Sequence, residues 1–163
     1  MLIAVDTNVL MDLAAESESV VDALELVRRR IHGARLVVLP TVIQELRFIA
    51  KYGETEQDTQ LALTALQKLT EWGFEPVNFL PVEFGITEQI GLKLRRVGLL
   101  PETEINDSLI LAEAALLGCG LFLTSDFHFA DVDLQLLTLE LKASDVSVPA
   151  IALPRDIVRM FFR

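Results

Sequence analysis

Four carboxylates stand where their types and spacing could serve one purpose: Asp6, Glu45, Asp107 and Asp126. Asp6 ends the apolar run Leu2-Ile3-Ala4-Val5, and Asp126 follows Leu121-Phe122-Leu123-Thr124-Ser125. If both runs are parallel strands, both acids lie outside strand carboxyl ends, where open α/β sheets bind ligands. On a helical wheel Glu45 lies at the edge of the arc formed by Val42, Leu46 and Ile49, beside Phe48 and Tyr52. Asp107 shares a stripe with Ile110, Leu111 and Ala114. Each acid alone has a plainer explanation. Asp6 suits a helix N-cap, Glu45 a solvated boundary position, Asp107 the first turn of a helix and Asp126 a turn. Together they are harder to dismiss, because a parallel sheet would bring all four to one edge. Ionised carboxylates held side by side raise one another's pKa. A divalent cation removes that conflict. An all-oxygen donor set without a cysteine or histidine pair favours a hard ion, Mg²⁺ or Mn²⁺, as one or two ions.

The elements that must position these acids are legible as alternating strands and helices. Leu2–Val5 reads as a buried strand, with a short helical turn after it that turns Val9, Leu10 and Leu13 inward. Ser19 can cap a helix to about Ile31, closed by Arg28-Arg29-Arg30 and Gly33. Leu36–Leu39 is a second strand. Thr41 and Gln44 have capping-box spacing for the helix that carries Glu45 and stops near Gly53. A partner helix over about Glu56 to Trp72 completes a helical hairpin. Glu75–Phe79 is a short strand, and Pro81 to about Val97 a helix ended by Gly98. An apolar helix covers Asp107–Leu117, and Leu121–Thr124 is the strand before Asp126. Val148–Leu153 is a last strand, and Pro154 opens a helix over Arg155–Phe162. The whole chain, 1–163, reads as one α/β domain with a central, mainly parallel sheet flanked by helices.

The totals bound what such a domain does. The chain has 163 residues, of which 52% are apolar and 23% charged, so a sizeable core is within reach. One cysteine, Cys119, precludes an internal disulfide; its apolar surroundings suit packing better than reactivity. No apolar run approaches the ~20 residues of a membrane helix, and Met1–Val5 lacks the build of a signal peptide. A cytoplasmic protein is expected. The formal net charge is −10, and setting the four acids aside still leaves 20 acids against 14 bases. A broad basic footprint for nucleic acid is therefore absent. Contacts to RNA would come from local basic patches, from a metal or from a basic partner chain; among the patches, Arg47 and Lys51, on the helix of Glu45, are the preferred phosphate contacts. His32 and His128 read as surface residues. Val158, Met160, Phe161 and Phe162 suit either cover for the sheet or a protein-binding surface.

Asp6-Thr7-Asn8-Val9-Leu10 after a strand, Glu45 on a later helix, Asn106-Asp107-Ser108-Leu109-Ile110 opening an alanine-rich helix, and Thr124-Ser125-Asp126 after a strand resemble the PIN domain. The subgroup they resemble is that of the VapC-type ribonuclease toxins, over about residues 1–130. The resemblance implies a three-layer PIN-like domain and a Mg²⁺- or Mn²⁺-dependent endoribonuclease. It makes Asp6, Glu45, Asp107 and Asp126 the catalytic, metal-binding tetrad, with Asn8 and Thr124 orienting ligands. It also implies an RNA substrate, an antitoxin protein as partner and a homodimer, without a membrane. The metal would lower the pKa of a bound water and aim hydroxide at phosphorus. Asp131 and Asp133 have no assigned part.

Other readings meet specific obstacles. A haloacid-dehalogenase-like phosphatase needs a second aspartate two positions after Asp6, where Asn8 stands. A nucleotide-binding fold needs a glycine-rich loop after the first strand, which is missing. A non-catalytic scaffold fits the acidity but gives no reason to concentrate carboxylates. A DNA flap-type nuclease would share the fold and most of the acids.

Overall fold

The computed structural model describes residues 1–161, the side chain of Ala130 apart. Five short strands form a wholly parallel sheet: β1 (Leu2–Val5), β2 (Arg35–Val38), β3 (Phe74–Pro76), β4 (Leu121–Leu123) and β5 (Ala150–Ala152). Their spatial order is β3-β2-β1-β4-β5. Ile3 pairs with Leu36 on one side and with Leu121 on the other. The chain thus walks outward from β1 to β3 and then crosses back to place β4 on β1's other edge. The carboxyl ends of β1 and β4 flank this switch point, where a crevice opens in sheets of this kind. Ile3, Ala4 and Val5 are all fully buried, as a central strand covered on both faces requires.

The helices described are α1 (Thr7–Ala14), α2 (Glu18–Arg30), α3 (Pro40–Tyr52), α4 (Glu56–Lys68), α5 (Pro81–Arg96), α6 (Ile105–Leu116), α7 (Phe127–Ala130), α8 (Leu134–Ala143) and α9 (Pro154–Phe161). α3 packs on α4, α5 on α6, and α9 returns to α2. α5 and α6 approach closely through Gly91, where a Cβ would stand 3.1 Å from Ser108 Oγ. This contact braces the first turn of α6.

The expected α/β domain with a parallel sheet is the one observed, with local differences. α2 begins at Glu18, so Ser17 holds the N-cap position and Ser19 lies inside the helix. α3 begins at Pro40, whose fixed φ and missing N–H suit the first helical position. Thr41 therefore sits within the first turn and caps nothing itself. α4 stops at Lys68, short of Trp72, and a turn leads to Gly73 in the left-handed region at φ 73°. α6 starts two residues before Asp107. α7 and α8 were not anticipated. Asp133 caps α8 by accepting hydrogen bonds from the N–H groups of Gln135 (2.9 Å) and Leu136 (3.0 Å). Val158 and Phe161 pack against the core while Met160 is exposed. Phe162, read as part of the same apolar end, lies outside the described residues.

Candidate active site

Three of the four acids, Asp126, Asp6 and Glu45, are joined by a line of hydrogen bonds across the switch point, and Asp107 lies next to its end at Asn106. Asp6 leaves β1 in extended conformation and caps α1, its Oδ1 accepting from Thr7 N–H at 2.7 Å. Its Oδ2 accepts from Thr124 Oγ1 at 2.9 Å. Thr124 Oγ1 in turn accepts from the backbone N–H of Asp126 at 3.0 Å. One buried hydroxyl thus fixes the ends of β1 and β4 relative to each other. On the other side, Thr7 Oγ1 donates to Glu45 Oε2. Asn106 Nδ2 donates to Glu45 Oε1 at 2.9 Å, tying α3 to the first turn of α6, where Asp107 is the next residue. Asp126, Asp6, Glu45 and Asp107 therefore come from four elements and share one electrostatic neighbourhood.

The electrostatics agree with that geometry. Asp6 is only 3% exposed. Burial pushes its carboxyl up to about 6, against the bonds from Thr124 and Thr7, and the charges of Glu45 and Asp126 add to the rise. Asp107 is half-buried and is pushed up to about 7, first by burial, then by the charges of Asp6, Glu104, Asp126 and Glu45. No cation contributes to either shift. At Asp6 the opposing contributions are the hydrogen bonds from Thr124 and Thr7.

Among the described residues, no three acid, imidazole or thiol groups close on one point to hold an ion by themselves. Mg²⁺ keeps several waters and takes one or two carboxylates directly, leaving others to act through those waters. Asp6, Asp107, Asp126 and Glu45 are the residues that could hold it, and the oxygen-only donors match its chemistry.

Other residues singled out from sequence fall in different places. Asn8 is exposed, and its side chain makes no hydrogen bond to a described residue; Thr7 is the neighbour that reaches a carboxylate. Arg47 lines a separate groove of about 690 Å³ with Pro40, Thr41, Phe84 and Glu113. Lys51 Nζ lies over the Tyr52 ring, 4.8 Å from its centroid. His32 and His128 are exposed, and His128 Nδ1 lies 3.6 Å from Asp126 Oδ1. Cys119 is buried, and burial raises its thiol to about 11. Asp12 Oδ2 accepts from Ser125 Oγ at 2.7 Å, which pins the loop before Asp126 to α1.

Sequence reasoning missed Glu113. It is 1% exposed, two turns along α6 from Asp107. Its carboxylate accepts from Thr41 N–H at 3.1 Å and from Thr41 Oγ1 at 2.7 Å. Burial raises its pKa, the two bonds from Thr41 oppose the rise, and the charge of Glu45 adds to it. Glu113 thus satisfies the open first turn of α3 from outside and sets the distance between the helices that carry Glu45 and Asp107. The available signal was an acid between Ala112 and Ala114 in an apolar helix.

A parallel sheet that gathers desolvated carboxylates outside the ends of β1 and β4 defines an α/β protein with an acidic centre at the switch point. The chain belongs to the PIN domain family, which residues 3–134 match; PIN domains are generally nucleases. Two solved structures share the fold. One is VapBC2 from Rickettsia felis bound to a DNA fragment from their promoter. It has 16% identity and a TM-score of 0.64 over 94% of this chain and 98% of that one. The other is FitAB bound to an IR36 DNA fragment, with 20% identity and a TM-score of 0.53 over 94% and 95% of the respective chains. Comparison with curated protein sequences gives no match. Among the described residues, no helix is long and apolar enough to cross a membrane.

Proposed function

We propose that this protein is a Mg²⁺- or Mn²⁺-dependent endoribonuclease that hydrolyses RNA phosphodiester bonds at the Asp6–Glu45–Asp107–Asp126 centre. The observation that carries the reading is the placement of four acids from four elements within one electrostatic neighbourhood at the ends of β1 and β4, two of them raised toward neutrality by burial and mutual charge. A structural role alone gives no reason to retain that repulsion.

When bound, the metal supplies a polarised water and offsets negative charge on the phosphoryl oxygens. The chain supplies the rest. Asp6, fixed by Thr7 and Thr124, offers a carboxylate whose orientation is set before any ligand arrives. Thr124 orders Asp6 and Asp126 together through one hydroxyl. Asn106 and Thr7 hold Glu45 by one oxygen each, so it faces the centre in a single orientation. Asp107, raised by burial and by the neighbouring acids, would give up its proton as a cation binds. Arg47 and Lys51 are the proposed phosphate contacts beyond the centre, and Asn8, exposed two residues after Asp6, is a further proposed polar group.

The likeness to chains of VapBC2 and FitAB supports a protein partner of antitoxin type, and a homodimer in the cytoplasm is proposed with it. The test is cleavage of matched RNA and DNA strands by the wild-type protein and by Asp107→Asn, with Mg²⁺, Mn²⁺ or EDTA. Metal-dependent cleavage of RNA alone, lost in the variant, is the expected result. Cleavage of DNA alone assigns the centre to a DNA nuclease, and full activity of the variant overturns the mechanism.

A further inference from the structure

An acidic chain must hold RNA by something other than a field of positive charge. Phosphate-based binding scales with the number of Lys and Arg contacts, and this chain carries a net charge of −10. One surface beside the carboxylates offers another means. Phe48 and Tyr52, on the same helix as Glu45, are 63% and 59% exposed. Their rings tilt against each other at 5.2 Å between centroids. Phe48 also walls a concavity of about 390 Å³ whose other lining residues are Gln44, Glu45, Ile49 and Asn106. Glu45 and Asn106 belong both to this concavity and to the carboxylate network. The concavity therefore borders the candidate active site through Glu45 and Asn106.

We infer that this concavity is a subsite for one unpaired nucleobase of the RNA strand whose phosphodiester lies at the carboxylates, with Phe48 as the stacking surface. The inference rests on the nuclease reading and names how that substrate is gripped. An unpaired base presents a flat apolar face and polar edges, and proteins read single-stranded RNA by stacking the face and hydrogen-bonding the edges. Phe48 and Ile49 supply the apolar wall. The amides of Gln44 and Asn106 supply donors and acceptors at its border. Tyr52, with Lys51 Nζ over its ring, extends the ledge by one more aromatic face bearing a positive charge. Stacking of this kind requires no net positive charge on the protein, which suits this composition.

The experiment measures binding of a labelled single-stranded RNA by anisotropy in EDTA, where no metal-dependent cleavage occurs. Wild type, Phe48→Ala and Phe48→Trp are compared, and a strand of the same charge with abasic sites in place of bases is run in parallel. Phe48→Ala is expected to weaken binding roughly 5- to 150-fold, which corresponds to ~1–3 kcal/mol for one stacked base. Phe48→Trp retains affinity, and the abasic strand binds wild type and Phe48→Ala equally weakly. If wild type binds and cleaves RNA but Phe48→Ala binds equally well, the subsite is refuted and the nuclease reading stands. If Phe48→Ala instead shifts the protein from dimer to monomer in sedimentation, with RNA affinity unchanged, the face is a protein interface and the inference is refuted. If wild type neither binds nor cleaves RNA, both readings fall.

Discussion

Replacing Asp6 by asparagine separates two roles of one side chain, because they predict opposite signs. Asparagine is about as good an N-cap as aspartate, so a helix cap alone would leave stability unchanged or slightly reduced. A carboxylate kept for a cation behaves differently. Asp6 is held at about 6 in the folded protein against an ordinary value of 3.8. The folded state therefore binds more protons than the unfolded chain between those two values. Stability then falls as pH rises through this window, and the full cost is present above about pH 6. A shift of roughly two units corresponds to about 3 kcal/mol. In EDTA at pH 7.5, Asp6→Asn should be more stable than wild type by up to about 3 kcal/mol, with the difference vanishing near pH 4. Urea unfolding followed by circular dichroism measures this at both pH values. Saturating Mn²⁺ should then close or invert the gap, since only wild type gains binding free energy. An Asp6→Asn protein that is less stable than wild type in EDTA at pH 7.5 would refute the reasoning. So would a gap that ignores pH.

Three further outcomes are expected. Glu113→Ala strips both donors of Thr41 of their acceptor and should destabilise the fold by about 2–5 kcal/mol, while Glu113→Gln keeps most of the stability; equal unfolding midpoints for the two variants would contradict the assigned role. Mn²⁺ binding at pH 6.5 should release protons, because Asp107 at about 7 and Asp6 at about 6 must ionise. Titration calorimetry in two buffers of different ionisation enthalpy detects this, with little release at pH 8.5, and identical heats in both buffers at pH 6.5 would exclude it. Gly91→Ala places a Cβ 3.1 Å from Ser108 Oγ and 3.3 Å from its carbonyl oxygen. It should cost about 1–3 kcal/mol by forcing α5 off α6, and an unaltered melting temperature would show that the contact yields freely.

Much of this arrangement was legible along the chain, and the part that was not has a common cause. β1, β2 and β4 announce themselves because strands buried on both faces must be continuous apolar runs. The helix ends at Gly53, Gly98 and Gly118 are equally local. The first turn of α3 was misread because its partner is Glu113, 72 residues away; no local spacing reports a hydrogen bond between α3 and α6. Thr7 was passed over for Asn8 for the same reason, since its acceptor Glu45 lies 38 residues on. The acids were ambiguous one by one because a cap and a ligand need the same residue. Asp6 caps α1 with one oxygen and faces Thr124 with the other. α8 carried a readable signal, Asp133 followed by Leu137 and Leu141 at helical spacing, but it lay beyond the motifs that drew attention.

The position of β1 has a kinetic consequence. Its partner β4 arrives from more than a hundred residues along the chain, as the pairing of Ile3 with Leu121 records, and contacts of such separation close slowly. Until β4 docks, Asp126 is remote from Asp6 and Asp107, and their mutual repulsion is not felt. The strain belongs to the finished protein and not to the species that precede it. If β4 docks after the folding transition state, that strain acts mainly on the rate of opening. On the proposed metal-dependent reading, a divalent cation seated between the ends of β1 and β4 would work as a latch, setting how long the folded protein persists.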